Sequence, residues 1–129
     1  MKGVYILLIF IKKNILAKIG ALGNLEFTKG TYAYIGSAQN NLQKRVKRHL
    51  RKNKKFHWHV DYLLKNKNTE IKKILTKKSG KKEECRTAQR LSEISEPIIG
   101  FGCSDCKCKS HLFKIKDLNA ITKMDFSQK

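Results

Sequence analysis

Eight consecutive apolar residues, Val4 to Ile11, follow Lys2-Gly3 and stop at Lys12-Lys13. Apolar side chains at every position, rather than at alternate ones, predict a strand from Gly3 to Ile11 that is buried on both faces. Ile15 to Ile19 reads as a second strand, Gly20 to Asn24 as a turn and Leu25 to Thr28 as the returning arm of a hairpin. Thr31 to Ile35 is β-favouring through Tyr32 and Tyr34, and Gly36 reads as its end. Past Asn40 and Asn41, either of which can cap a helix, Leu42, Val46 and Leu50 recur every four positions and make one apolar helical face. Phe56, Val60, Leu63 and Leu64 repeat that spacing and predict a second helix. Lys65 to Asn68 reads as a loop and Ile71 to Leu75 as a strand. Ser79-Gly80 breaks the chain before a third helix, Lys81 to Ser95, with Cys85, Ala88 and Leu91 facing inward. Pro97 disfavours helix at Glu96 and ends it. Ile98 to Gly102 and Leu112 to Ile115 are short apolar pieces on either side of a cysteine-rich loop. The pattern predicts an α+β sandwich: a central antiparallel sheet of about three to five strands flanked by helices. It occupies one domain, residues 1–115, followed by a tail over residues 116–129.

Composition supports a folded chain: 129 residues suit one domain, and 40% hydrophobic with 30% charged residues is a globular balance. The charge is what changes the picture. A formal net charge of +19 makes the chain repel itself unless a polyanion neutralises it. Nucleic acid is the usual polyanion and an anionic membrane surface its competitor, while a lysine-rich composition can also arise without function. The distribution favours a nucleic-acid partner. Between Phe27 and Val60 lie nine Lys or Arg and no Asp or Glu, and eight of the nine fall from Lys44 to Lys55. A patch of one sign is a footprint for phosphates. On the predicted helix Arg45 and His49 share a face beside the apolar stripe, with Arg48 and Lys52 in the neighbouring row. Lys47, Arg51, Lys54 and Lys55 read as its solvated side. The Val4–Ile11 run is too short to span a bilayer and has no convincing cleavage site after it, so a cytoplasmic location, reduced thiols and no membrane partner are expected.

Gly3-Val4-Tyr5 and Tyr34-Ile35-Gly36, then Leu42-x-Lys44-Arg45-Val46, then a carboxylate on a later helix, resemble the GIY-YIG nuclease superfamily. The phrases Tyr32-Ala33-Tyr34-Ile35-Gly36-Ser37-Ala38, His57-Trp58-His59-Val60-Asp61-Tyr62-Leu63, Glu84-Cys85 with Ala88-Gln89-Arg90-Leu91, and the stretch from Ser104 to Leu112 resemble more closely a small branch of that superfamily. That branch has no assigned function and occurs alone or fused to a DNA-repair glycosylase. The resemblance covers roughly residues 2 to 115. It implies a nucleic-acid substrate, DNA favoured over RNA, and a DNA-repair protein as a possible partner. It also implies roles. Tyr5 and Tyr34 line an active site, Tyr5 being the better general base. Arg45 stabilises charge developing on the phosphate, and His49 lies near the scissile group. Glu84 holds a single divalent metal, Mg2+ or Mn2+, with Glu83 as the adjacent alternative. From the basic edge of the predicted helix rather than from the resemblance, Lys44, Arg48 and Lys52 are expected to bind the nucleic-acid backbone.

The chemistry of these residue types agrees. A phenol with a pKa of about 10 is a poor base at neutral pH, and nearby cations favour its phenolate. Arginine's planar fork bonds two phosphate oxygens at once, and a magnesium ion needs only one or two protein carboxylates. Two departures from the superfamily stand out. The hairpin at residues 14–30 sets Tyr5 and Tyr34 29 positions apart, and the late Pro-x-Tyr-Asn segment of many relatives is missing. Ser110 or His111 is left to replace its asparagine. Cys103, Cys106, Cys108 and His111 form C-x2-C-x-C-x2-H, a candidate set for structural Zn2+, set against the simpler reading of a reduced loop packed on the sheet. Asp105 and His111 lie within sequence reach of the active site. Trp58, flanked by His57 and His59, reads as core or as a stacking surface for a base. The expected activity is endonucleolytic, with a non-catalytic nucleic-acid-binding module of the same fold, for DNA or RNA, as the alternative.

Overall fold

The structure, a computed structural model, describes residues 2–128 except 39, 52–55, 57, 81, 103–107, 123 and 125. In chain order the elements are β1 (Gly3–Ile11), β2 (Ile15–Lys18), β3 (Asn24–Phe27), β4 (Gly30–Ala38), α1 (Leu42–Leu50), α2 (His59–Lys65), β5 (Thr69–Lys78), α3 (Lys82–Ile94), β6 (Glu96–Pro97), β7 (Leu112–Lys114), α4 (Leu118–Thr122) and β8 (Ser127–Gln128). The expected α+β sandwich forms. The main sheet runs β6-β7-β4-β1-β5-β8, with every pairing antiparallel, and the two-residue strands at its rims bring it to six. β2 and β3 form a separate hairpin.

The unbroken apolar run of β1 is explained by its place between β4 and β5. Side chains alternate across a strand. Tyr5, Leu7, Ile9 and Ile11 therefore enter one core layer, with Leu42 and Val46 of α1, Val60, Leu63 and Leu64 of α2, and the hairpin. Val4, Ile6 and Leu8 enter the other, with Ala88 and Leu91 of α3, Ile121 of α4 and Met124. Fully burying a Leu or Val stabilises by about 1.5–3 kcal/mol, which is enough to dock a helix as short as α1. Asn41 caps α1, its side chain accepting from the Lys44 N–H.

Several expectations need correction. Leu50 is 52% exposed, and the inward stripe of α1 is Leu42, Val46 and His49, because a period of 3.6 brings position 49 back to the core face. Gly36 does not end β4, which continues to Ala38. Phe56 lies before α2 and is exposed, with Trp58 at the helix N-cap. Residues after 115 are not a tail: Ile121 and Met124 are buried, and Ser127–Gln128 pairs with β5. Among the described residues, no helix is long and apolar enough to cross a membrane.

Candidate functional site

Where β4 runs on toward α1, an open cleft of about 640 Å³ collects Tyr5, Tyr34, Lys44, Arg45, Arg48, Arg51, Trp58 and Glu84. The β1–β4 register pairs Tyr5 with Gly36. A Cβ at 36 would overlap the Tyr5 ring, so the absence of a side chain there lets the ring lie across the neighbouring strand. Tyr5 Oη reaches the buried imidazole of His49, 2.6 Å from Nε2. When the phenol donates this bond, His49 is held as the Nδ1–H tautomer.

Burial pushes the phenols of Tyr5 and Tyr34 above their ordinary value. At Tyr5 the charge and hydrogen bond of Arg45 oppose that rise, while Glu84 and Asp61 add to it. Arg45 favours the phenolate as expected, and desolvation outweighs it.

Arg45 is tethered at both ends of its guanidinium's reach. Nη1 donates to the Ser37 carbonyl at 2.9 Å, and the group lies over the Trp58 ring at 4.5 Å. Arg48 also lies over Trp58, at 4.4 Å, and grips Asp61 with two hydrogen bonds of 3.0 and 3.1 Å. Asp61 is 0% exposed and accepts a further bond from the Trp58 N–H at 2.9 Å. The charge of Arg48, expected for phosphate binding, is thus largely matched by a carboxylate. Lys44 lines the cleft as expected, and so does Arg51, which the sequence places on the solvated side. Lys52 lies outside the described residues.

Glu84 arrives from the opposite layer, in the first turn of α3. Ser37, one position past Gly36 and so on the α3 face of β4, donates its hydroxyl to Oε1 at 2.9 Å. His111 Nδ1 lies 3.3 Å from Oε2. Glu83 turns away to Lys77 at 3.2 Å and Arg86 at 3.8 Å, which separates the two adjacent candidates in favour of Glu84. His111, not Ser110, reaches the cleft's carboxylate; Ser110 is spent on the Leu112 backbone, at 2.8 and 2.9 Å.

Of the expected zinc set, Cys103 and Cys106 lie outside the described residues, as do Asp105 and His57. Among the described residues, Cys108 and His111 converge with Cys85, which the sequence assigns to the helix core. Asp61, Ser37, Arg51 and Cys85 are the residues that sequence reasoning missed. Asp61 had a signal: it is the first acid after a 34-residue interval without one (27–60), the natural partner for a cation in that interval. Ser37 and Cys85 owe their roles to strand register and helix phase.

No match was found among curated proteins or among solved structures. One family does match, over residues 4–127, and from β1 to β8 this chain belongs to it: domain of unknown function DUF123.

Proposed function

We propose that this chain is a metal-dependent endonuclease that hydrolyses phosphodiester bonds in DNA, of the GIY-YIG type its motifs resemble. The observation that carries the reading is convergence: Tyr5, backed by His49, a tethered Arg45 and, among the described residues, one carboxylate, Glu84, meet at one cation-lined cleft from β1, α1 and α3. Glu84 with the Ser37 hydroxyl beside it fits a magnesium or manganese ion, which keeps most of its water and takes one or two carboxylates. Such an ion, when bound, supplies positive charge to stabilise the leaving oxygen.

The protein's own groups do the rest. Arg45 keeps N–H groups for the phosphate oxygens while its tether limits its rotamers. Tyr5 is too weak an acid to stand as a phenolate in this burial, and the His49 contact removes the need. Its oxygen takes a proton from water as its own proton passes to Nε2, so the imidazole is the eventual base. Lys44 and Arg51 attract and align the strand backbone, a binding component that weakens as salt rises. Action in the cytosol, beside a DNA-repair partner, belongs to the same proposal.

The raised Tyr5 phenol favours one second reading, a non-catalytic nucleic-acid-binding module. Labelled single-stranded, duplex, flap and four-way-junction DNAs, incubated with magnesium or manganese, separate the two. Metal-dependent cleavage is expected, with a loss of about 100-fold or more in Glu84→Gln and Arg45→Ala, in the range of a removed charge-stabilising group. Binding without cleavage, equal in all three proteins, would sink the nuclease and leave the binding module, with RNA the next substrate to test.

A further inference from the structure

The geometry points to a zinc site formed by Cys85, Cys108 and His111, beside Glu84. Their ligand atoms all lie within 4.8 Å of one another. Tetrahedral zinc with Zn–S near 2.3 Å and Zn–N near 2.0 Å sets its ligands about 3.5–3.8 Å apart, so the three groups need to close by only about 1 Å. Two thiols and an imidazole are the donors that zinc prefers over magnesium or calcium. Among the described residues three ligands converge, and the fourth position of a tetrahedral site falls to a further donor, protein or water.

The surroundings suit a metal. Cys85 and Cys108 both border a groove of about 480 Å³ beside α3, which gives an ion a route from solvent. His111 is buried, and its Nδ1 lies 3.3 Å from Glu84 Oε2. Zinc on the other ring nitrogen leaves Nδ1–H to donate to that carboxylate, the outer-shell arrangement that fixes tautomer and ring orientation in metal-bound histidines. The metal would then join α3 to the segment before β7 and hold Glu84 through His111. The site shares Cys108 and His111 with the C-x2-C-x-C-x2-H reading and adds Cys85, which comes from a helix. It does not depend on the nuclease proposal, because its occupancy is read without catalysis.

The test uses the full chain, reduced and stripped by a chelator, then titrated with zinc against a chromophoric competitor and separately with cobalt(II). One equivalent is expected. The cobalt form should show strong tetrahedral visible bands and thiolate-to-metal charge transfer. Cys85→Ser and Cys108→Ser should each weaken zinc by at least about 100-fold, beyond the 10–100-fold typical of losing an outer-shell partner, and each should remove roughly half the charge-transfer intensity. Glu84→Gln should keep the metal, with a loss inside the roughly 10–100-fold range of an outer-shell partner. Circular dichroism confirms that each variant is folded. Failure of the wild type to take up one equivalent overturns the site. So does a folded Cys85→Ser that binds zinc as the wild type does, above all if a Cys103→Ser/Cys106→Ser double variant has lost the metal.

Discussion

The two layers of the sandwich bury different chemistry. Under α1 and α2 the apolar packing is interrupted by a buried aspartate and a buried imidazole, Asp61 and His49, each bonded to a residue that lines the cleft. Under α3 and α4 the layer is closed by Ala88, Leu91, Ile121 and Met124 around the even positions of β1. The first layer spends stability to position polar groups, since a buried charge costs desolvation energy that its partner only partly returns. The second is mainly carbon burial, its buried polar groups being Thr87 of α3 and His111 against Glu84 at the cleft end. The cleft sits where both can reach it, with Tyr5 from one side and Glu84 from the other.

Substitutions that cost each layer a similar amount of stability separate these roles. Asp61→Ala strands Arg48, whose side chain is 20% exposed, and loosens Trp58 beneath Arg45. A loss of about 3 kcal/mol, the lower end for a broken buried pair, should appear in the urea midpoint, and cleavage should fall well below the wild type even where the variant is fully folded. Leu91→Ala should cost about 2–4 kcal/mol through its cavity, yet leave cleavage near normal under folding conditions. Equal activity losses in the two variants would erase the distinction.

Gly36→Ala tests the contact between strand register and cleft. Its methyl must displace the Tyr5 ring, so a loss of about 1–3 kcal/mol, as for overpacking, should come with loss of cleavage while DNA binding on filters is preserved. The smallest effect concerns His59, whose Nδ1 accepts from the Gly102 N–H at 2.8 Å and whose pKa burial holds below its ordinary value. The unfolded chain then takes up a proton at higher pH than the folded one. This contribution to stability is complete above the unfolded value of about 6.5 and is lost as pH falls through it toward the lower folded value. His59→Asn, which cannot titrate, should make the acid side of the melting-temperature profile shallower than the wild type's.

The sheet's central strand was readable because Val4–Ile11 has no polar position, which only a strand covered on both faces tolerates. Tyr5, Tyr34, Arg45 and Glu84 could be named from ordered phrases, and they line one cleft. What the sequence hid depends on phase and register. His49 and Leu50 are adjacent, and only the helix's docking decides which one faces inward. Ser37 meets Glu84 because β4 continues past a glycine that reads locally as a stop. The end of the chain, polar on average, hides two anchors, Ile121 and Met124, whose value appears only against α3 and β1.

The position of β1 has a consequence during synthesis. It precedes both of its partners in the chain, pairing with β4 through residue 38 and with β5 through residue 78. An eight-residue apolar segment therefore leaves the ribosome long before its second edge can be satisfied, since at roughly 5–20 residues per second β5 follows several seconds later. Through that interval the nascent chain carries a sticky strand whose protection is a matter of timing, with Lys12-Lys13 at its end as flanking charges of the kind that disfavour strand-to-strand association.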